Sequence, residues 1–271
     1  MPDWLTVIIL GVIEGITEFL PVSSTGHLLI PQNWGWLAHQ SDLFNIVIQS
    51  AAVLAVIPLF RNRLEQVCRA HRDPEARDFT LKVLVAFFIT GVGGLALDKA
   101  GFELPEEILP VALALVIGGV LFLVVERWLK GRTFNDQLTW KVVVAVGLGQ
   151  LVAAVFPGAS RSGTTILIML VMGLSRPAAT EFSFVVGIPT MLAAGGLKIT
   201  KALLRPEAGA PPENWGLLAL AAVVSAVVSF VAVKWLLGFV RSHTFTGFGW
   251  YRIGLGGILL LMLLAQTPAG N

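Results

Sequence analysis

Charge is what this sequence has least of. Only 13% of its 271 residues are Asp, Glu, Lys or Arg, whereas 55% are hydrophobic; a soluble domain carries about 25% charged residues. Mean hydropathy is +0.79. No polar stretch is long enough to fold alone, so no appended soluble domain is expected. Short segments of alternating polarity are also lacking, which excludes a transmembrane β-barrel. A single cysteine, Cys68, rules out an intrachain disulfide. The N-terminal stretch has no basic leader and carries Glu14 and Glu18, so it is read as a working segment and not a cleaved signal peptide. What these absences leave is an all-α polytopic integral membrane protein.

A helix needs about 20 apolar residues to cross the hydrocarbon core, with about 17 as the short limit. Six segments qualify, the first and last at the short end: 45–60, 79–97, 108–125, 182–204, 215–240 and 250–265. Two further apolar regions are interrupted. Residues 4–20 contain two carboxylates and run into Pro21. Residues 142–156 run into Pro157-Gly158, and a short apolar piece, 165–174, follows. Both regions read as re-entrant helical hairpins, because non-helical backbone at membrane depth needs protein or a wet cavity around it. They lie half a chain apart and align Gly11 with Gly147, Glu14 with Gln150, Pro21 with Pro157 and Ser24 with Ser160. Each is followed by three spans. An odd number of crossings inverts the second half, so residues 1–127 and 138–271 are expected to be inverted repeats within one membrane domain, 1–271.

Basic residues set the orientation. Arg61, Arg63, Arg69, Arg72, Arg77 and Lys82 flank one connection, and Arg127, Lys130, Arg132 and Lys141 a second. Arg176 follows the second hairpin; Lys234, Arg241 and Arg252 bracket the last connection. Under six spans all fall on one side, the cytoplasmic side by the positive-inside rule. The connections 98–107 and 205–214 and both termini then face outward. The first hairpin enters from outside and the second from inside.

The two breaks carry the chemistry. Glu14 and Glu18 are four residues apart and share a helix face. At low dielectric such a pair either shares a proton or holds a divalent metal; without a chemical duty it would face a wet cavity. Ser23, Ser24 and Thr25 form a tight loop after Pro21, where Ser or Thr can also cap the next helix. That helix would aim its N-terminal N–H groups into the site and attract an anion. His27 can be a nucleophile, an acid for a leaving group, or a donor to a backbone carbonyl. In the second break, Gly158 and Gly163 permit close approach of the backbone to a ligand. Ser160, Ser162, Thr164 and Thr165 supply hydroxyl and N–H donors. Arg161 supplies a planar fork matched to phosphate oxygens, or an ion pair with Glu14 or Glu18. Asn45, Gln49, Thr180, Glu181 and Ser183 could stand behind these groups. His39, His71 and His243 are read as loop residues without a catalytic role.

Glu14-x-x-x-Glu18, Pro21-Val-Ser-Ser-Thr-Gly-His27, Pro157-Gly-x-Ser-Arg-Ser-Gly-x-Thr165 and Thr180-Glu-Phe-Ser-Phe resemble the bacterial undecaprenyl-diphosphate phosphatase family of the bacitracin-resistance type. The resemblance covers essentially the whole chain. It implies hydrolysis of undecaprenyl diphosphate to the monophosphate, recycling the lipid carrier of peptidoglycan synthesis. It implies two re-entrant hairpins and a site open to the periplasmic side of the inner membrane. It also implies a divalent cation, Mg2+ or Ca2+, with Glu14 and Glu18 as its protein ligands. Catalytic roles carry over to Glu14, Glu18, Ser24, His27 and Arg161, and substrate contacts are assigned to Ser23, Thr25, Ser160, Ser162, Gly163, Thr164 and Thr165. The expected partners are a polyprenyl diphosphate lipid and the bilayer, with no nucleic acid; oligomeric state stays open between a monomer and a homodimer. A transporter or flippase of a phosphorylated polyprenyl lipid is the alternative, since inverted repeats with broken helices also build transporters.

Overall fold

A computed structural model describes residues 1–102, 107–204 and 213–266. The expected outward connections 98–107 and 205–214 and the C-terminus therefore lie partly outside the described residues. The described chain is all helical: α1 (Asp3–Thr17), α2 (Ser24–Asn33), α3 (Asp42–Val56), α4 (Arg61–Cys68), α5 (Pro74–Lys99), α6 (Ile108–Trp128), α7 (Trp140–Val155), α8 (Arg161–Val171), α9 (Arg176–Leu204), α10 (Trp215–Phe239) and α11 (Thr246–Gln266). A 3-10 turn, Ile57–Phe60, joins α3 to α4. Among the described residues, six helical stretches are long and apolar enough to cross a membrane, and they overlap the six expected from sequence. The stretches beginning at Asp42 and Pro74 start ahead of their apolar runs, where caps open them. Ser41 caps α3, Asp73 caps α5 and Asn214 caps α10, each through a side-chain oxygen accepting a backbone N–H.

The short helices α1, α2, α7 and α8 are the arms of the two broken regions. Their packing crosses between the halves of the chain. α1 lies against α10, whereas α7 lies against α5; α3 packs on α9, and α6 on α11. Between apolar helices in lipid, close approach and hydrogen bonds replace the hydrophobic drive. Gly11 and Gly15 give the close approach on α1: a Cβ at either would sit 2.8 Å from a carbonyl oxygen of α10, that of Ala221 or of Ser225. Ser229 Oγ donates to the Gly15 carbonyl at 3.0 Å. On α7 the same device recurs, with Thr90 Oγ1 of α5 donating to the Gly147 carbonyl at 3.1 Å. Large apolar side chains such as Phe88, Val92, Val223 and Leu261 are left facing outward on the spans.

Ionic pairs mark the two ends. Arg63 meets Glu181 at 2.8 Å, and Arg176 pairs with Glu126, which also accepts from the Phe245 N–H at 2.8 Å. These residues lie at the end rich in basic side chains. Lys201 and Asp98 pair at 3.5 Å at the other end. One basic residue departs from the expected pattern. Arg252, read from sequence as bracketing the last connection, is fully buried. α11 begins at Thr246 and not near Trp250, so Arg252 sits nearly two turns inside the helix.

Candidate active site

The two breaks meet in the interior. α1 ends at Thr17, and Glu18 follows in helical geometry with its N–H bonded to the Glu14 carbonyl. Residues 18–22 turn the chain, and α2 starts at Ser24. Ser23 takes φ 75°, a left-handed conformation that non-glycine residues rarely adopt, and its Oγ accepts the Gly26 N–H at 3.4 Å. In the second break Ser160 takes φ 70°, and its Oγ accepts the Gly163 N–H at 3.2 Å. Ser160 therefore corresponds structurally to Ser23, one residue away from the Ser24 match made by sequence. The first break is one residue shorter between its proline and its capping serine. Strain of this kind costs about 1–3 kcal/mol and is held only where the surroundings determine it. Here it turns both helix N-termini inward, each with first-turn N–H groups that have no helical partner.

Ser24 Oγ donates to Glu18 Oε2 at 2.6 Å. Gln49 Nε2 donates to the same oxygen at 3.1 Å. The other oxygen, Oε1, faces Arg161 Nη2 at 3.5 Å. Arg161 is the first residue of α8, so its guanidinium reaches from the second break to a carboxylate of the first. Its Nη1 leans on the Ser183 carbonyl of α9 at 3.4 Å. Gly187, one turn along α9, makes room for it: a Cβ there would overlap the guanidinium. Glu14, one turn before Glu18, is buried, and among the described residues neither of its carboxylate oxygens has a hydrogen-bond partner. An orphaned buried carboxylate calls for a proton or a cation.

The remaining residues divide. Ser162 Oγ donates to the Leu20 carbonyl at 3.2 Å and ties the second break to the first; it also lies 3.2 Å from Ser160 Oγ. Thr165 Oγ1 lies 2.6 Å from Ser183 Oγ and supports the loop from behind. Thr25 is exposed, and Thr164 is half-buried; neither side chain joins the Glu18 cluster. His27 turns away from it. Its Nδ1 lies 2.7 Å from the Ser23 carbonyl and its Nε2 lies 2.6 Å from Tyr251 Oη. Nδ1 must carry the proton to meet a carbonyl, so in the neutral ring Nε2 accepts from the tyrosine. Of the supporting residues read from sequence, Gln49 and Ser183 touch the site. Glu181 is bound to Arg63 at the basic end, and Thr180 bonds its own helix. Asn45 Oδ1 is buried and has no hydrogen-bond partner among the described residues.

A family model described as bacitracin resistance protein BacA matches residues 7–258. The chain belongs to this family. It is 52% identical over 269 residues to an undecaprenyl-diphosphatase of Rhizobium etli, covering 99% of this chain and 98% of that protein. It is 50% identical over 268 residues to an undecaprenyl-diphosphatase of Xanthomonas axonopodis pv. citri, covering 98% and 100%. For a member of the BacA family, sequence reading missed three residues at or beside the break segments: Tyr251, Arg252 and Gly187. One signal was available for Arg252. Gly249 and Gly256 lie on its face of α11, where each lets α6 approach closely; glycines flanking a charge on one helix face mark a buried face.

Proposed function

We propose that this chain hydrolyses undecaprenyl diphosphate to undecaprenyl phosphate and inorganic phosphate, and so returns the lipid carrier to peptidoglycan synthesis. The observation that carries the reading is the Ser24–Glu18 hydrogen bond, with Arg161 of the facing break on the same carboxylate. Glu18 takes the Ser24 hydroxyl proton as Oγ attacks the terminal phosphorus. The bond from phosphorus to the bridging oxygen breaks, and undecaprenyl phosphate leaves with those electrons. Glu18 releases the serine proton to bulk water. Water then attacks the phosphoserine as one of its protons passes to Glu18. The Oγ–P bond breaks with its electrons going to Ser24 Oγ, and Glu18 hands its proton to that oxygen as inorganic phosphate departs. Arg161 exchanges its carboxylate for the phosphate oxygens, and the N–H groups opening α2 and α8 stabilise charge in the transition state. His27, held by Ser23 and Tyr251, fixes the loop beside the nucleophile and does not attack.

The residues fit a divalent cation. Glu14 offers two buried oxygens without partners beside Glu18, and Mg2+ is commonly held by one or two carboxylates plus substrate phosphates. Among the described residues no cluster of three His, Cys, Asp or Glu is present, so the substrate would complete the shell. When bound, Mg2+ or Ca2+ would neutralise phosphate oxygens.

The rest of the reading concerns placement. The two broken regions are re-entrant hairpins of inverted repeats, residues 1–127 and 138–271. The reciprocal packing of α1 on α10 and α7 on α5 supports this, as do the paired left-handed serines. The concentration of basic residues at one end supports a cytoplasmic position for that end, in a chain of the inner membrane whose site opens to the periplasm. The prenyl tail lies in the bilayer. All site groups come from one chain, so a homodimer would not be needed to complete the site. A transporter is disfavoured because an anion carrier gains nothing from two buried carboxylates. The test is phosphate release from undecaprenyl diphosphate by the purified chain, with and without a chelator. Binding without any release would leave only the transporter.

A further inference from the structure

α11 supplies a cation that belongs to neither broken region. Arg252 is fully buried, and among the described residues its hydrogen-bond partners are all backbone carbonyls. Nη1 donates to Pro21 at 3.0 Å, and Nη2 lies 3.1 Å from each of Ala114, Gly158 and Ala159. Nε lies 3.5 Å from the Leu115 carbonyl. A buried charge is costly unless fully bonded, so the arrangement needs a reason. The breaks provide one: interrupting a helix orphans carbonyls that no backbone N–H can reach. Only a guanidinium presents five donors in one plane and can serve several at once. Pro21 lies in the first break and Gly158 and Ala159 in the second, with the α6 carbonyls as a third wall. Glycines at two walls give it space. A Cβ at Gly118 would overlap the guanidinium, and one at Gly163 would lie 3.1 Å from Nη1.

We infer that Arg252 is a positioning residue that pins the two breaks to each other and thereby sets Ser24 against Arg161. Pro21 stands just before the Ser23–Ser24 turn, and Ala159 just before Ser160 and Arg161. The nucleophile and the phosphate fork come from different halves of the chain, and their relative position is set by what joins the breaks. Ser162 to Leu20 is one such link; Arg252 is the larger. Only its kinetic consequence rests on the phosphatase reading.

Two variants of the full chain test it. Arg252→Lys keeps the charge but cannot span the carbonyls. Gly118→Ala leaves Arg252 in place and pushes its guanidinium off them from α6. Gly94→Ala, whose Cβ meets open space, is the control. Hydrogen exchange should lose protection in segments 18–26 and 156–164 together in both variants, with the rest of the chain and the control unchanged. In the phosphate-release assay kcat should fall about 10²-fold with little change in KM, the signature of misplacement. Unaltered protection in both segments would overturn the inference. So would loss of protection throughout the chain, or a raised KM at full kcat, which would make Arg252 a fold-wide strut or a simple anion-binding charge. If the parent chain releases no phosphate, the phosphatase reading falls, and the exchange data still decide the pinning.

Discussion

Replacing Glu18 by Gln isolates one charge at the centre of the site. The side chain keeps its shape, and its amide oxygen can still accept from Ser24 or Gln49. What disappears is the acceptor for the serine proton, now 2.6 Å away. Positioned general bases contribute about 10²–10⁴-fold, so kcat should fall by that factor, about 3–5 kcal/mol of transition-state stabilisation. Binding should move the other way. In the resting site Arg161 faces Glu18 at 3.5 Å, an attraction of about 5 kcal/mol at an effective dielectric near 20. Substrate phosphate must compete with that carboxylate for the guanidinium. Without the charge Arg161 is free, and KM should stay level or fall. The assay is steady-state phosphate release from undecaprenyl diphosphate across substrate concentrations, on protein shown to be monodisperse. A Gln variant with more than about a tenth of the parental kcat would refute Glu18 as the base. A raised KM at full kcat would reassign it to substrate binding.

Glu14→Gln should lose activity at low magnesium and recover part of it at high magnesium or calcium, read from the cation dependence of the rate; no recovery would make Glu14 a proton holder instead of a ligand. Arg161→Lys should lose most activity, because one ammonium cannot replace the bidentate fork, and Gly187→Ala should do the same with Arg161 still present, since the new methyl displaces the guanidinium. Equal rates for both variants and the parent would make Arg161 a point charge without a fixed position. Orientation is checked with a membrane-impermeant thiol reagent on intact cells: a cysteine at Lys99 should label and native Cys68 should not, whereas the reverse pattern inverts the topology.

The spans were legible because long apolar runs have few other uses, and each of the six overlaps a helical stretch long and apolar enough to cross a membrane, with ends shifted by up to eight residues. The broken regions were legible because prolines and paired carboxylates interrupt apolar runs. Which side chains meet was harder to read. Ser24 and Ser160 align in sequence, yet Ser23 and Ser160 share the left-handed geometry, since a one-residue difference in turn length is invisible without the backbone. His27 stands among the site residues in sequence but faces Tyr251, because successive residues of α2 point in different directions. From sequence Arg252 reads with the loop cations, because a charge near a span end looks like a flank. Its burial depends on carbonyls freed by two breaks more than ninety residues distant, and no local window contains them. Gly187 and Gly118 carry no signal at all until their neighbours are known.

The account rests on Ser24 as the attacking group, and one comparison tests it directly: phosphate release from undecaprenyl diphosphate by Ser24→Ala and His27→Ala chains under identical conditions. Ser24→Ala should show no turnover at any cation concentration, while His27→Ala, which loses only a loop anchor, should keep a measurable kcat. Substantial turnover by Ser24→Ala together with none by His27→Ala would contradict the account and pass the attack to the histidine or to water.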